Sequence, residues 1–306
     1  MPRGGDKGLT SVGYLDALAS RVGRATLRSV SVCVGLATES GHLFRCLPPV
    51  ALEVGESIAH CAERGCAEAR VYAVPRACVG VRSHPSLVVS GPGDLLRQDI
   101  QLAVWAIPQG HIEALSVSAI DSWVEAAMLA FGASGRPVFD SPTAVHVPGS
   151  YSQDTYWRGL RRAVGHDPLV MPAVAALILD DRSQLVLVRT RTWDRWMIPG
   201  GSVELGESIA DTAVRKAREE TGYVIEPGGL LGAYAGKPFF TRYPNGDVTQ
   251  HVSTPMVCHI VGGSRRPQVD EILDVQAFSV DALPSMFPQW EAIARDAFRG
   301  KLGRIG

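Results

Sequence analysis

No apolar run in this chain approaches the roughly 18 to 20 residues that a membrane-spanning helix needs. The opening residues, MPRGGDKGLTSVGYLDAL, lack the continuous apolar core of a secretory signal. The expectation is a cytoplasmic protein with no membrane partner. An excess of one charge sign is missing too: 30 Lys and Arg stand against 31 Asp and Glu, a formal net charge of −1. That balance gives no electrostatic reason to expect nucleic acid or an anionic membrane as partner. The six cysteines, Cys33, Cys46, Cys61, Cys66, Cys78 and Cys258, show no paired CxxC spacing. Reduced, buried thiols are the default for such a set. A zinc cluster of Cys61, Cys66 and Cys78 with His60 or His84 is the alternative, on ligand type alone.

What is present suits two domains. The 306 residues are 46% hydrophobic and 20% charged, an ordinary globular composition. Residues 1–150 read as a separate N-terminal α/β domain. The pattern predicts a helix over Leu9–Leu27, a strand over Ser29–Thr38 and a helix over Ala51–Cys66. Strands at Ala69–Val74, Cys78–Arg82, Ser86–Ser90 and Ile100–Ile107 follow, then a helix over Ser118–Ala133. This half carries no Gly-rich phosphate fingerprint and no nucleophile elbow. Ligand sensing, a second catalytic step and dimerisation all stay open for it. His60, His84, His111, Trp105 and Trp123 are either pocket residues or ordinary core and surface positions. Residues 151–168 read as a linker with a short basic helix carrying Arg158, Arg161 and Arg162, and 169–306 as the second domain.

Within the second domain one stretch stands out, PGGSVELGESIADTAVRKAREETGY from Pro199 to Tyr223. A Gly-rich turn leads into a helix on which Ile209, Ala213, Val214 and Ala217 recur at spacings of three and four, an apolar stripe that must face a core. Arg215 and Glu219, and likewise Lys216 and Glu220, lie four apart and can meet on the helix surface. Gly222 supplies the helix stop. Read alone, the charges are either a solvated face laced with ion pairs or a site for a divalent metal and a phosphate.

The spacing of Gly201, Glu207, Arg215, Glu219, Glu220 and Gly222, G-x5-E-x7-R-x3-E-E-x-G, closely resembles the Nudix box. The resemblance implies an α/β/α sandwich with a mixed sheet, and hydrolysis of a nucleoside diphosphate linked to another group. It implies Mg2+ or Mn2+ held by the Gly200 carbonyl and the carboxylates of Glu219 and Glu220, with Arg215 orienting Glu219 and Glu207 bracing the loop. A small nucleotide substrate is the implied partner, and a homodimer is compatible because many relatives pair. One position departs: Lys216 stands where the family pattern has the first Glu of R-E-U-x-E-E. An ammonium there repels a metal and cannot accept a proton while charged.

Flanking residues extend the resemblance. Val170–Leu179 and Leu185–Thr190 read as a hairpin around Asp180–Ser183, with Arg189 and Arg191 placed beside the substrate by the resemblance or else ordinary strand residues. Asn245–Gly246 is a turn by composition, inside a YPNGD run similar to one in small bacterial family members. Pro238, fifteen positions beyond Tyr223, has a placement associated in the family with ADP-ribose hydrolases, or is simply an edge proline. A last strand, VQAFSV, and a helix around Pro288–Arg299 close the chain. Glu271 before that strand, or Glu204, is a candidate to replace the missing carboxylate. Three outcomes follow for Lys216: hydrolysis with fewer metals, direct binding of phosphate without cleavage, or a domain kept as scaffold.

Overall fold

Long runs of β-branched and small apolar residues build two large sheets. The computed structural model describes residues 14–22, 27–40, 43–84, 87–90, 96–109, 122–141, 156–267, 270–300 and 302–306. In the first half, Leu27–Ala37 and Leu96–Pro108 pair in parallel from Leu27↔Arg97 to Leu36↔Ala106. They sit at the centre of the sheet path Leu43–Cys46, Leu27–Ala37, Leu96–Pro108, Ala73–Arg82, Val138–Phe139. Side chains alternate across a strand, so Val30, Val32 and Val34 meet Ile58, Cys61 and Ala62 of one helix, whereas Cys33 and Ala103 meet Val124, Ala127 and Met128 of another. With α1 as Tyr14–Val22, α2 as Ile58–Glu68 and α3 as Ser122–Ser134, α2 and α3 cover opposite faces.

The second sheet is organised around Leu169–Leu179, buried along almost its whole length. It pairs in parallel with Val248–Ser253 and Met256–Gly263, and antiparallel with Gly200–Ser202. Leu185–Thr190 joins it antiparallel through Leu179↔Leu185 and pairs in turn with Ile272–Phe278. The remaining helices are α4 (Tyr156–Val164), α5 (Ile209–Thr221) and α6 (Pro288–Phe298). Period-two alternation again sorts the faces. Ala176, Ile178, Val186 and Val188 pack with Ile209, Ala213 and Ala217 of α5, and Ala175, Leu177, Leu185 and Leu187 with Ile293 and Ala294 of α6. The result is a mixed sheet between helices, an α/β/α sandwich.

The sheets are distinct, yet they share a core. Val32 and Leu102 of the first belong to the same buried cluster as Val174 and Ile209 of the second. Polar ties cross the boundary. The Val170 N–H donates to the Tyr14 hydroxyl (2.9 Å), the Gly206 N–H to Gln98 Oε1 (2.8 Å) and the Ile209 N–H to Ser83 Oγ (3.1 Å). Gln250 Nε2 donates to the Glu56 carbonyl (2.9 Å), and Cys78 N–H to that of Gly303 (3.0 Å).

Several boundaries differ from expectation. Leu27 opens a strand rather than closing a helix, and residues 1–13 and 23–26 lie outside the described residues. α2 starts at Ile58, because Ser57 caps it by accepting from the His60 N–H (3.2 Å), while Ala51 belongs to a strand. The expected strands at Ala69–Val74 and Cys78–Arg82 are one strand, Ala73–Arg82. Pro75 has no N–H for the ladder, and the register shifts between Pro75 and Ala77 instead of ending. α3 is described from Ser122, and residues 118–121 of the expected helix, like His111, lie outside the described residues.

The zinc alternative fails. Among the described residues no three His, Cys, Asp or Glu side chains gather to hold a metal. The thiols of Cys61 and Cys78 point at the carbonyls of Val50 (3.5 Å) and Gly80 (3.6 Å). Burial pushes the Cys66 thiol up to about 11 and that of Cys78 to about 12, away from the thiolate a metal needs. Trp105 and Trp123 pack on the α3 side of the first sheet, and His60 and His84 are exposed. Among the described residues no helix is long and apolar enough to cross a membrane.

Because Ile209 is fully buried in the shared core, Ile209→Ala should destabilise the protein by about 2–5 kcal/mol. Urea unfolding should show the loss as one transition common to both halves; two separated transitions would contradict a shared core.

Candidate functional site

The helix α5 begins with a capping box. Ser208 Oγ accepts from the Asp211 N–H (3.1 Å) and Asp211 returns the contact at the Ser208 N–H (2.9 Å). It ends at Gly222 in the left-handed conformation, φ 82°, where an added Cβ would lie 2.4 Å from the Ser264 carbonyl oxygen. Between these stops the charged residues hold one another. Glu207 accepts from the Glu204 N–H (3.2 Å), Thr212 Oγ1 (2.9 Å) and Arg215 Nη2 (2.8 Å), joining the loop to the helix. Despite partial burial, which acts the other way, these bonds and the Arg215 charge hold the Glu207 carboxyl below the usual range. Arg215 also reaches the Ser202 carbonyl (3.3 Å) and Glu219 (3.4 Å).

Gly200 and Gly201 form a short strand against Ala175 and Val174. A Cβ on Gly200 would lie 2.2 Å from the Val174 carbonyl oxygen, and one on Gly201 would meet the Lys216 stem at 2.9 Å. Glycine is required at Gly200, where backbone approaches so closely; at Gly201 a side chain would instead displace the end of the Lys216 stem.

Lys216 lies beneath this loop, only 5% exposed. Its Nζ is 2.8 Å from Glu220 Oε1 and 3.2 Å from Glu219 Oε2. Burial by itself would lower the lysine; the charge and hydrogen bond of Glu220, then Glu219, outweigh it and raise the ammonium above the ordinary lysine range. Burial draws Glu220 toward its neutral form, opposed by Lys216 and by the Gly200 N–H at 3.1 Å. At contact distance, and with the Gly200 N–H as a second donor on the carboxylate, the pair is an ion pair.

This donor set does not fit a divalent ion. The two carboxylates and the Gly200 carbonyl are the family-type ligands, but the ammonium already stands between the carboxylates, and no metal-holding group of three occurs among the described residues. A dication about 4 Å from the ammonium would be repelled by something on the order of 8 kcal/mol at an effective dielectric of about 20. Glu271 is close enough to Glu220 to raise it by repulsion, yet its side chain is exposed; its carbonyl accepts from the Arg191 N–H (2.8 Å).

Two cavities border the Gly-Gly strand. One, of 390 Å3, is lined by Trp157, Arg158 and Arg161 of α4, by Gly201, Ser202 and Glu204, by Arg215 and Lys216, and by Tyr243, Asn245 and Asp247. The other, of 260 Å3, includes Trp193, Phe240, Tyr243, His251, Phe287 and Trp290, with Gly200 and Gly201 at its floor. Gly201 and Tyr243 belong to both. Trp193 stacks tilted near Tyr243 and edge-on near Phe287, each at 5.8 Å between ring centres. Burial pushes the His251 imidazole down to about 4, so it is neutral against Tyr243 and Trp290.

Of the residues singled out in the sequence, Gly200, Gly201, Glu207, Arg215, Lys216, Glu219 and Glu220 come together, and Glu204 joins them on a cavity wall. Arg189 and Arg191 do not line either cavity. Arg189 is bound to Asp194 (2.7 Å), and Arg191 sits on the exposed side near Glu271. Pro238 lies in a short 3-10 turn, Lys237–Phe239, where its fixed φ suits the start. Sequence reasoning missed Trp193, His251, Phe287, Trp290 and the inward role of α4. The YPNGD run was the available signal, since its Tyr243 joins the two cavities.

The second half is similar to known proteins. The family model described as NUDIX domain matches residues 169–299. An ADP-ribose pyrophosphatase of Methanocaldococcus jannaschii is 31% identical over 136 residues, spanning 43% of this chain and 76% of that protein. The NAD-capped RNA hydrolase NudC of Pseudomonas aeruginosa is 38% identical over 95 residues, 31% of this chain and 30% of that protein. Among solved structures, an ADP-ribose pyrophosphatase from Streptococcus suis is 21% identical, covering 42% of this chain and 92% of that one, with a TM-score of 0.33.

Between pH 6.5 and 4 the unfolded chain binds a proton at His251 that the folded chain refuses, so stability should fall as pH falls through that window, by at most about 1.4 kcal/mol per pH unit. Thermal unfolding at stepped pH should show a flatter profile in His251→Gln; identical profiles would contradict the neutral buried ring.

Proposed function

Since the chain belongs to the Nudix hydrolase family, we propose that its second half binds a nucleoside diphosphate linked to another group and cleaves the diphosphate, at a low rate. The observation that carries this reading is the pair of cavities that share Gly201 and Tyr243 in their walls, the larger of them lined by Lys216 as well. An aromatic chamber suits a base, which stacks on ring faces. A chamber walled by Arg158, Arg215 and Lys216 suits anionic and hydroxylated groups. A bridging diphosphate is the group that spans two such chambers over a Gly-Gly strand.

A divalent ion would ordinarily neutralise the phosphates and lower the pKa of a bound water. The donor set here does not fit one, so the chemistry rests on the chain's own groups. Lys216 places positive charge below the bridge, and the Gly-Gly strand lets the ligand approach the backbone. Glu219, the more exposed of the two carboxylates, with its side chain 31% open against 9% for Glu220, is the one that can meet solvent water. Because Glu219 also pairs with Arg215 and Lys216, slow turnover follows.

ADP-ribose is the first compound to try, on the strength of the archaeal relative's activity and of Pro238. A second reading, a site that holds the nucleotide without cleaving it, is favoured by the double ion pair of Lys216. Chromatography of AMP released from ADP-ribose and related nucleoside diphosphate derivatives separates the two. Slow release by wild type, abolished in Glu219→Gln with binding retained, supports hydrolysis; tight binding with no release from any compound supports the holding site. Trp193→Ala should weaken binding by about tenfold, as loss of one stacking face of about 1–3 kcal/mol predicts. If neither binding nor release occurs with any compound, the reading fails.

A further inference from the structure

We propose that Lys216 is the resident cation of this site: its ammonium takes the place of the divalent ion, excludes it, and receives the ligand's diphosphate directly. The diphosphate part rests on the nucleotide reading above; the exclusion of metal does not.

The placement is what distinguishes this lysine from a surface ion pair. Its aliphatic stem runs under Gly201, where even a methyl group would collide with it, so the ammonium is delivered to one position rather than left to search solvent. At that position Nζ contacts both carboxylates, at 2.8 and 3.2 Å. Glu220 is in turn held by the Gly200 N–H, and Glu219 by Arg215. Each carboxylate therefore has its negative charge committed from two sides. The lysine ammonium carries three protons. Two go to the glutamates, and among the described residues no acceptor takes the third, while Lys216 itself forms part of the wall of the 390 Å3 cavity. A group bound over Gly201 would meet a fixed positive charge with a donor to offer.

Charge counting points the same way. A glutamate at 216 would make three carboxylates on one turn and a half of helix, a set that requires a cation from solution. With Lys216 the same three side chains sum to −1, and the cation is covalently attached. A phosphate can be met by a lysine as a point charge in the way it is met by a metal, with the difference that the lysine cannot be removed by chelation.

The test uses the full chain, with Lys216→Gln and Lys216→Glu, each checked for a cooperative melt. Mn2+ binding is followed by the loss of the free-ion paramagnetic resonance signal, and ADP-ribose binding by thermal shift in EDTA and in Mg2+. Wild type should leave Mn2+ free at concentrations that saturate Lys216→Glu, and its ADP-ribose shift should be equal in EDTA and Mg2+. In Lys216→Gln the EDTA shift should disappear. Stoichiometric Mn2+ binding by wild type as tight as by Lys216→Glu would overturn the proposal. So would an ADP-ribose shift that needs Mg2+, or folded variants that both still fail to bind Mn2+. No ADP-ribose shift in any condition, with Mn2+ excluded by wild type and admitted by Lys216→Glu, would sink the nucleotide reading and leave the exclusion of the metal standing.

Discussion

A buried ammonium between two glutamates is the contact on which the second half's site depends. Lys216 could not remain ionised at 5% exposure without Glu219 and Glu220, and Glu220 could not remain ionised without Lys216 and the Gly200 N–H. Removing a partner from such a set costs more than the pair contributes, because an unpaired charge is left buried. The pair is therefore as much a constraint on the loop Gly200–Glu207 as it is a chemical group. It ties α5 to the Gly-Gly strand, which is itself paired to the central strand of the sheet.

That loop is held from outside the second sheet as well. Gln98 and Ser83, from the first sheet, accept the N–H groups of Gly206 and Ile209, one on each side of the capping residue of α5. The first half thus supplies one partner that the free N–H groups at the helix start require, at Ile209, and pins the loop ahead of the cap at Gly206. This gives the first half a physical role in the site's geometry without assigning it a ligand. The helix α4 does something similar from the other side. Arg161 donates to the carbonyls of Gly165 and Asp167 and to Thr249, which fixes α4 against Val248–Ser253 and leaves Trp157 and Arg158 as cavity wall.

How much of this could be read in advance varied with the range of the interaction. The box helix, its glycine stop and its i,i+4 pairs are local, and the spacing of Gly201, Glu207, Arg215, Glu219 and Glu220 carried them. Arg189 and Arg191 illustrate the opposite case: an arginine near the box in sequence points wherever its strand directs it, here to Asp194 and to the Glu271 side. The aromatic cavity was not legible, because Trp193, Phe240, His251, Phe287 and Trp290 come from four separate elements that only the closed sheet brings together. The zinc alternative failed for the related reason that ligand types close in sequence were directed to carbonyls and core rather than to one another.

By itself, the sequence determined the box, its substitution at Lys216, and which of the segments around it are strands and which are helices. These follow from periods of 2 and 3.6 residues and from charges four apart, which need no distant partner. The tertiary structure decided what Lys216 does. Only the approach of Gly201 over its stem, and its place in the wall of the larger cavity, turn a surface-type helix charge into a buried one facing a ligand space. Burial is a property of the assembled layers, and it is burial that makes the choice between lysine and glutamate at this position a choice about the metal.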